Sequence, residues 1–137
     1  MEIRYPATLI PQDGGYLVQF VDFEDTFTEG ETVEAALFNA SEVLSAMVGW
    51  KIDNGQPIPA PTTGLKKTRY IAPDAKTQAA LLVRMTRGAR PLSEIARTLE
   101  TSWPAAKRLE NPHHYPSLKQ LEKAAAALGK RLVLSFE

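Results

Sequence analysis

The chain contains no cysteine, so a disulfide framework, a thiolate zinc site and a cysteine nucleophile are excluded. A structural metal would have to be held by His, Asp and Glu alone, and the only two histidines are adjacent, His113 and His114. No apolar run approaches the roughly 18 residues of a membrane span, and no signal peptide is visible, so a cytoplasmic protein without membrane association is expected. Net charge is absent too: 16 basic and 16 acidic side chains cancel over 137 residues. That length allows one or two small domains, and a hydrophobic content of 44% excludes wholesale disorder. Phosphate-binding loops, nucleophile elbows and zincin motifs are missing, which argues against an enzyme and against any cofactor.

The cancellation of charge hides a division. Residues 1 to 64 hold two basic side chains, Arg4 and Lys51, against ten acidic ones, whereas residues 65 to 137 hold fourteen basic against six acidic. The first stretch alternates loosely from Glu2 to Ile10, turns at Pro11-Gln12-Asp13-Gly14-Gly15 and resumes over Tyr16 to Val21, the pattern of a β-hairpin. A third short strand is expected around Thr26 to Thr28. From Thr32, an N-cap, the period becomes helical, with Val33, Ala36, Leu37, Ala40, Val43, Leu44, Met47 and Val48 on one side and Gly49 as the stop. Residues 53 to 68, with prolines at 57, 59 and 61, read as a linker or an excursion at the sheet edge, and Arg69-Tyr70-Ile71 as a brief returning strand. The first domain is thus an α+β unit, a small antiparallel sheet plus a helix, over residues 1 to 72.

Residues 73 to 137 read as helices. One runs from Pro73 to Gly88, and another covers Leu92 to Leu99, opening on Ser93 with Glu94 in its first turn. A third runs from Trp103 to Glu110 and a fourth from Ser117 to Leu128. A terminal strand is expected over Arg131 to Phe136, where Leu132, Leu134 and Phe136 share a face. Ser93 to Leu109 has the mechanics of a helix-turn-helix: Ala96 is small where two helices would cross, and Ile95, Leu99, Ala106 and Leu109 would fill the inner corner. The second helix would present Trp103, Pro104, Lys107 and Arg108 outward, with Ser102 able to reach a phosphate or base edge and Lys107 the foremost base or phosphate contact. His113 and His114 follow in a loop suited to the DNA backbone, and lack a third ligand for a metal.

Two family resemblances emerge from these residues. Arg108-Leu109-Glu110-Asn111, then Pro116-Ser117-Leu118 and Ala125-Ala126-Ala127-Leu128-Gly129, resemble the repressor-type (Xre, Cro/C1-like) helix-turn-helix family. Two positions depart from it: Glu100 stands where that family usually turns on Gly, and Pro104 lies near the start of the recognition helix. Gly15-Tyr16, Phe20-Val21-Asp22-Phe23, Thr28 to Ala36 and Pro57-Ile58-Pro59-Ala60-Pro61 resemble the HicB antitoxin family, including members with a C-terminal helix-turn-helix. The resemblance implies a partial RNase H-like fold for residues 1 to 72 and a non-enzymatic antitoxin. Its partner would be HicA, a small basic toxin with a double-stranded-RNA-binding-like fold that cleaves messenger RNA.

An acidic domain suits capture of an RNA-binding surface, because its carboxylates stand where phosphates would lie. Asp22, Glu24, Asp25, Glu29 and Glu31 are the candidate toxin contacts. Asp22, Glu24 and Asp25 also raise a two-metal nuclease reading, weakened because all three lie in one loop. The basic half would bind an inverted-repeat operator and repress the operon as a homodimer or higher homo-oligomer. An unpaired terminal strand would otherwise be exposed, and a dimer would space two recognition helices about 34 Å apart. The alternative is a stand-alone transcriptional regulator whose acidic domain senses a ligand or oligomerises.

Overall fold

The computed structural model describes residues 1–137 and divides into two compact units, Met1–Ala75 and Lys76–Glu137. By this division the first unit holds eleven acidic and five basic side chains and the second holds five acidic and eleven basic.

The first unit is α+β. Strands β1 (Tyr5–Gln12), β2 (Gly15–Phe20), β3 (Phe27–Gly30) and β4 (Arg69–Ile71) form one antiparallel sheet in the order β3-β2-β1-β4, so β3 and β4 are its edges. Pairing of Leu9 with Val18 and of Ala7 with Phe20 puts the apolar residues of β1 and β2 on one face. Helix α1 (Val33–Asp53) covers that face with Ala36, Ala40, Leu44 and Val48, which recur every fourth residue and are buried. Two glycines permit the close approach. A Cβ on Gly30 would stand 2.4 Å from the Ala36 amide nitrogen, and one on Gly15 would stand 2.3 Å from the Gly30 carbonyl oxygen. Tyr5 and Phe23 close the core edge to face, with ring centroids 4.9 Å apart.

Thr32 caps α1 as its sequence indicates, its hydroxyl oxygen accepting from the Ala35 amide at 3.0 Å. The helix runs through Gly49, however, which is buried inside it, and stops four residues past the expected end. Its stop is Asn54, whose amide and side chain both donate to the Trp50 carbonyl, followed by Gly55 at φ +65°. Residues 54 to 68 carry no helix or strand, yet they are not a free linker: Tyr5 Oη donates to the Pro59 carbonyl at 2.7 Å, and Thr62 donates twice to Asp22. The segment is an excursion bound to the first unit. Ser41 Oγ donates to the Ala72 carbonyl, and Asp74 donates its amide to Ser45 Oγ, which fastens the chain after β4 onto α1.

The second unit contains α2 (Ala75–Arg87), α3 (Leu92–Thr98), α4 (Trp103–Arg108) and α5 (Leu118–Ala127). Val83, Ile95, Leu109, Ala124 and Leu128 form its core, with Leu99 packed against it. Helix α3 starts behind Pro91 at the N-cap, not Ser93, because the φ of proline suits that position and Ser93 already lies in the first turn. Ser117 and Gln120 make a reciprocal capping box at α5. The strand expected over Arg131 to Phe136 is not formed: residues 130 to 137 have no regular structure, and Val133, Leu134 and Phe136 are exposed. A strand is completed by its ladder, and the second unit offers this segment none. No helix is long and apolar enough to cross a membrane.

Candidate functional site

The acidic surface is built around β3. Glu24 and Asp25 precede the strand, Glu29 lies in it, Glu31 follows it, and all four are exposed. Asp25 takes a left-handed backbone conformation (φ +50°), which short polar side chains tolerate and which turns the loop back toward β3. The Glu29 carboxylate accepts from Gln12 Nε2 at 3.0 Å. Asp22, grouped with these by sequence, has a different surrounding. It is half-buried, and its two carboxylate oxygens accept from the Thr62 amide at 3.0 Å and the Thr62 hydroxyl at 2.5 Å. Burial, with the neighbouring Asp22 charge adding to it, pushes the Tyr5 phenol up to about 12. No group of three or more His, Asp or Glu converges in a way that could hold a metal ion, so the ligand set for two-metal cleavage is not assembled.

The basic surface lies on α4 and the loop after it. Trp103, Pro104, Lys107 and Arg108 are exposed, and the Lys107 ammonium sits 5.0 Å from the Trp103 ring centroid, one helical turn away. This cation–π contact holds both side chains out from the helix as one unit. Ser102 is the N-cap, its Oγ accepting from the Ala105 amide at 3.2 Å, so its hydroxyl proton is left to donate. Pro104 falls in the first turn, where a missing amide costs the helix no hydrogen bond. Residues 99 to 102 connect α3 to α4, and Glu100 adopts φ +53°, so the turn keeps its left-handed position without a glycine. His113 is exposed and His114 half-buried; the His113 amide donates to Asn111 Oδ1.

Sequence reasoning missed the pair that anchors α4. Glu110, 8% exposed, receives Arg87 Nε at 2.5 Å and an Arg87 terminal nitrogen at 2.9 Å, and Arg87 also donates to the Arg90 carbonyl at 2.8 Å. Hydrogen bonding to Glu110 raises the guanidinium further above its usual value, against the opposing effect of burial. The fork ties the end of α2 to the residues after α4 and so fixes how α4 is presented. No local pattern in the sequence signals it, because the two residues are 23 positions apart.

The chain thus joins an acidic α+β unit to a basic helical unit. Comparison with known proteins gives the family. Residues 4–73 match the model of the HicB_like antitoxin of bacterial toxin-antitoxin systems. The chain is 31% identical over 135 residues to Antitoxin HicB of Escherichia coli (strain K12), covering 96% of this chain and 98% of that one. It is 26% identical over 136 residues to Antitoxin HicB 1 of Photorhabdus laumondii subsp. laumondii, covering 98% and 88%. It is 23% identical over 137 residues to Antitoxin HicB of Pseudomonas fluorescens (strain Pf0-1), covering 98% and 94%. The chain belongs to the HicB-like antitoxin family and has the role of an antitoxin in a toxin-antitoxin system.

Proposed function

We propose that this antitoxin neutralises a HicA-like messenger-RNA-cleaving toxin by binding it through the acidic unit, residues 1 to 72, and represses its own operon by binding operator DNA through residues 73 to 137. The observation that carries this reading is the division of charge by unit: eleven carboxylates against five cations in the first, and the reverse in the second. A negative surface attracts a basic RNA-binding protein, and a positive one attracts DNA. Asp22, Glu24, Asp25, Glu29 and Glu31 are the proposed toxin contacts. Asp22 also holds the 54 to 68 segment in place through Thr62.

For the second unit we keep the helix-turn-helix reading of α3 and α4. Trp103, Pro104, Lys107 and Arg108 face the DNA; Ser102 donates to a phosphate, and His113 and His114 lie beside the backbone. The first unit is read as a partial RNase H-like fold that has no catalytic role, in a cytoplasmic protein. The DNA-binding species is a homodimer or a higher homo-oligomer on an inverted repeat, with Val133, Leu134 and Phe136 supplying exposed apolar contact area.

The test is growth of cells expressing the small basic reading frame adjacent to this gene, alone and together with the full chain. Toxicity alone and rescue together support neutralisation. A harmless neighbour overturns it and leaves a stand-alone transcriptional regulator, which operator binding by the full chain would then identify.

A further inference from the structure

We propose that the outer edge of β3 is the docking line for the neutralised protein, which adds an extended, cationic segment to the sheet as a fifth strand. The inference rests on the neutralisation reading and specifies how it is achieved. Its first support is the ladder. The Phe20 amide donates to the Thr26 carbonyl at 3.0 Å, and pairing continues through Val18 with Thr28 and Tyr16 with Gly30. Alternation along an antiparallel strand therefore turns the amides and carbonyls of Phe27 and Glu29 away from β2, toward the open side. Asn39 Nδ2 donates to the Glu29 carbonyl at 2.9 Å, which confirms that direction and leaves the Phe27 groups and the Glu29 amide facing outward. No strand lies beyond β3.

An exposed aromatic side chain lies on this edge. Phe27 shares a face with Gln19, away from α1, and is 58% exposed. An added strand would place a side chain against Phe27 on the face away from α1, and main-chain pairing with side-chain contact is how strand addition gains both affinity and selectivity.

Charge decides what occupies the edge. Between Arg4 and Lys51 the sequence contains no Lys, Arg or His, while Glu24, Asp25, Glu29, Glu31 and Glu34 surround β3. A second copy pairing edge to edge would set these carboxylates against their own counterparts with no cation among them. A basic strand meets no such repulsion, and its Lys or Arg side chains would reach the carboxylates on either side.

Hydrogen exchange followed by NMR tests this on the full chain, free and bound to the small basic protein encoded beside its gene. The amides of Phe27 and Glu29 should exchange rapidly in the free chain and slow at least about tenfold in the complex. Replacing Phe27 by Ala should weaken the complex about tenfold without shifting the melting temperature, since the ring is exposed. A complex that forms with both amides still unprotected overturns the edge assignment and leaves neutralisation standing. Absence of any complex overturns neutralisation itself. Protection in the free chain that grows with concentration assigns the edge to a second copy and overturns the proposal.

Discussion

Asp22 and Thr62, forty residues apart, are joined by two hydrogen bonds, the Thr62 amide and hydroxyl each donating to a separate carboxylate oxygen of Asp22. The contact converts a proline-rich stretch into part of the first unit and gives Asp22 a structural partner that the sequence did not show. Replacing Asp22 with Ala should lower stability by about 1 to 2 kcal/mol, the worth of charge-assisted bonds at a half-buried site. Limited trypsin digestion should then cut faster at Lys66 and Lys67, which are exposed in the same segment. Unchanged cleavage would show that other contacts hold the segment.

Tyr5 gives the first unit an alkaline limit. Its phenol is fully buried, donates to the Pro59 carbonyl and is pushed up to about 12 from 10. The folded state therefore favours the protonated form, and its stabilising effect is complete below pH 10 and lost as pH rises through 12. The loss should amount to on the order of 2 to 3 kcal/mol. Denaturant titrations between pH 9 and 12 should show it in the native chain and not in Tyr5→Phe, which starts weaker by the hydrogen bond.

Breaking the Arg87–Glu110 fork should be costly. Glu110→Ala leaves a guanidinium partly buried without its carboxylate, at about 3 kcal/mol or more, whereas Glu110→Gln keeps one acceptor and costs less. Thermal unfolding of the two variants should separate accordingly. Equal melting temperatures for both would mean that the Arg90 carbonyl alone satisfies Arg87.

Glu100→Gly should stabilise the second unit. A left-handed conformation strains a residue with a side chain, and glycine relieves that strain while losing more freedom on folding, for a net gain of a few tenths to about 1 kcal/mol. A lowered midpoint in urea would show that the Glu100 side chain makes a compensating interaction.

Lys107→Ala should weaken operator binding by about 1 to 3 kcal/mol and random DNA by less, as expected of a base contact. Equal losses would reduce Lys107 to a phosphate contact. Trp103→Ala should act in the same direction, because it removes the ring that holds the Lys107 ammonium at 5.0 Å.

The amino-acid sequence by itself determined the features that depend on neighbours along the chain. Thr32 and Ser117 were legible as caps because a cap is satisfied three residues away. The hairpin and the returning strand at Arg69 follow likewise from local pattern, as the division of charge follows from composition, whereas the family resemblance singled out Glu100 and the structure gave it its left-handed conformation. Family membership was legible because the motifs of the first unit are contiguous. Tertiary structure alone decided the rest. It carried α1 past Gly49, where a small buried residue is tolerated against the sheet. It bound the proline-rich segment through Tyr5 and Asp22, paired Arg87 with Glu110 and left residues 130 to 137 without a ladder. It also distinguished the carboxylates by surroundings, since only folding shows that Asp22 accepts from Thr62 while Glu24, Asp25 and Glu31 are exposed. Each of these is a meeting of groups distant in the chain, and hydrophobic periodicity and propensity carry no information about a hydrogen-bond partner forty residues away.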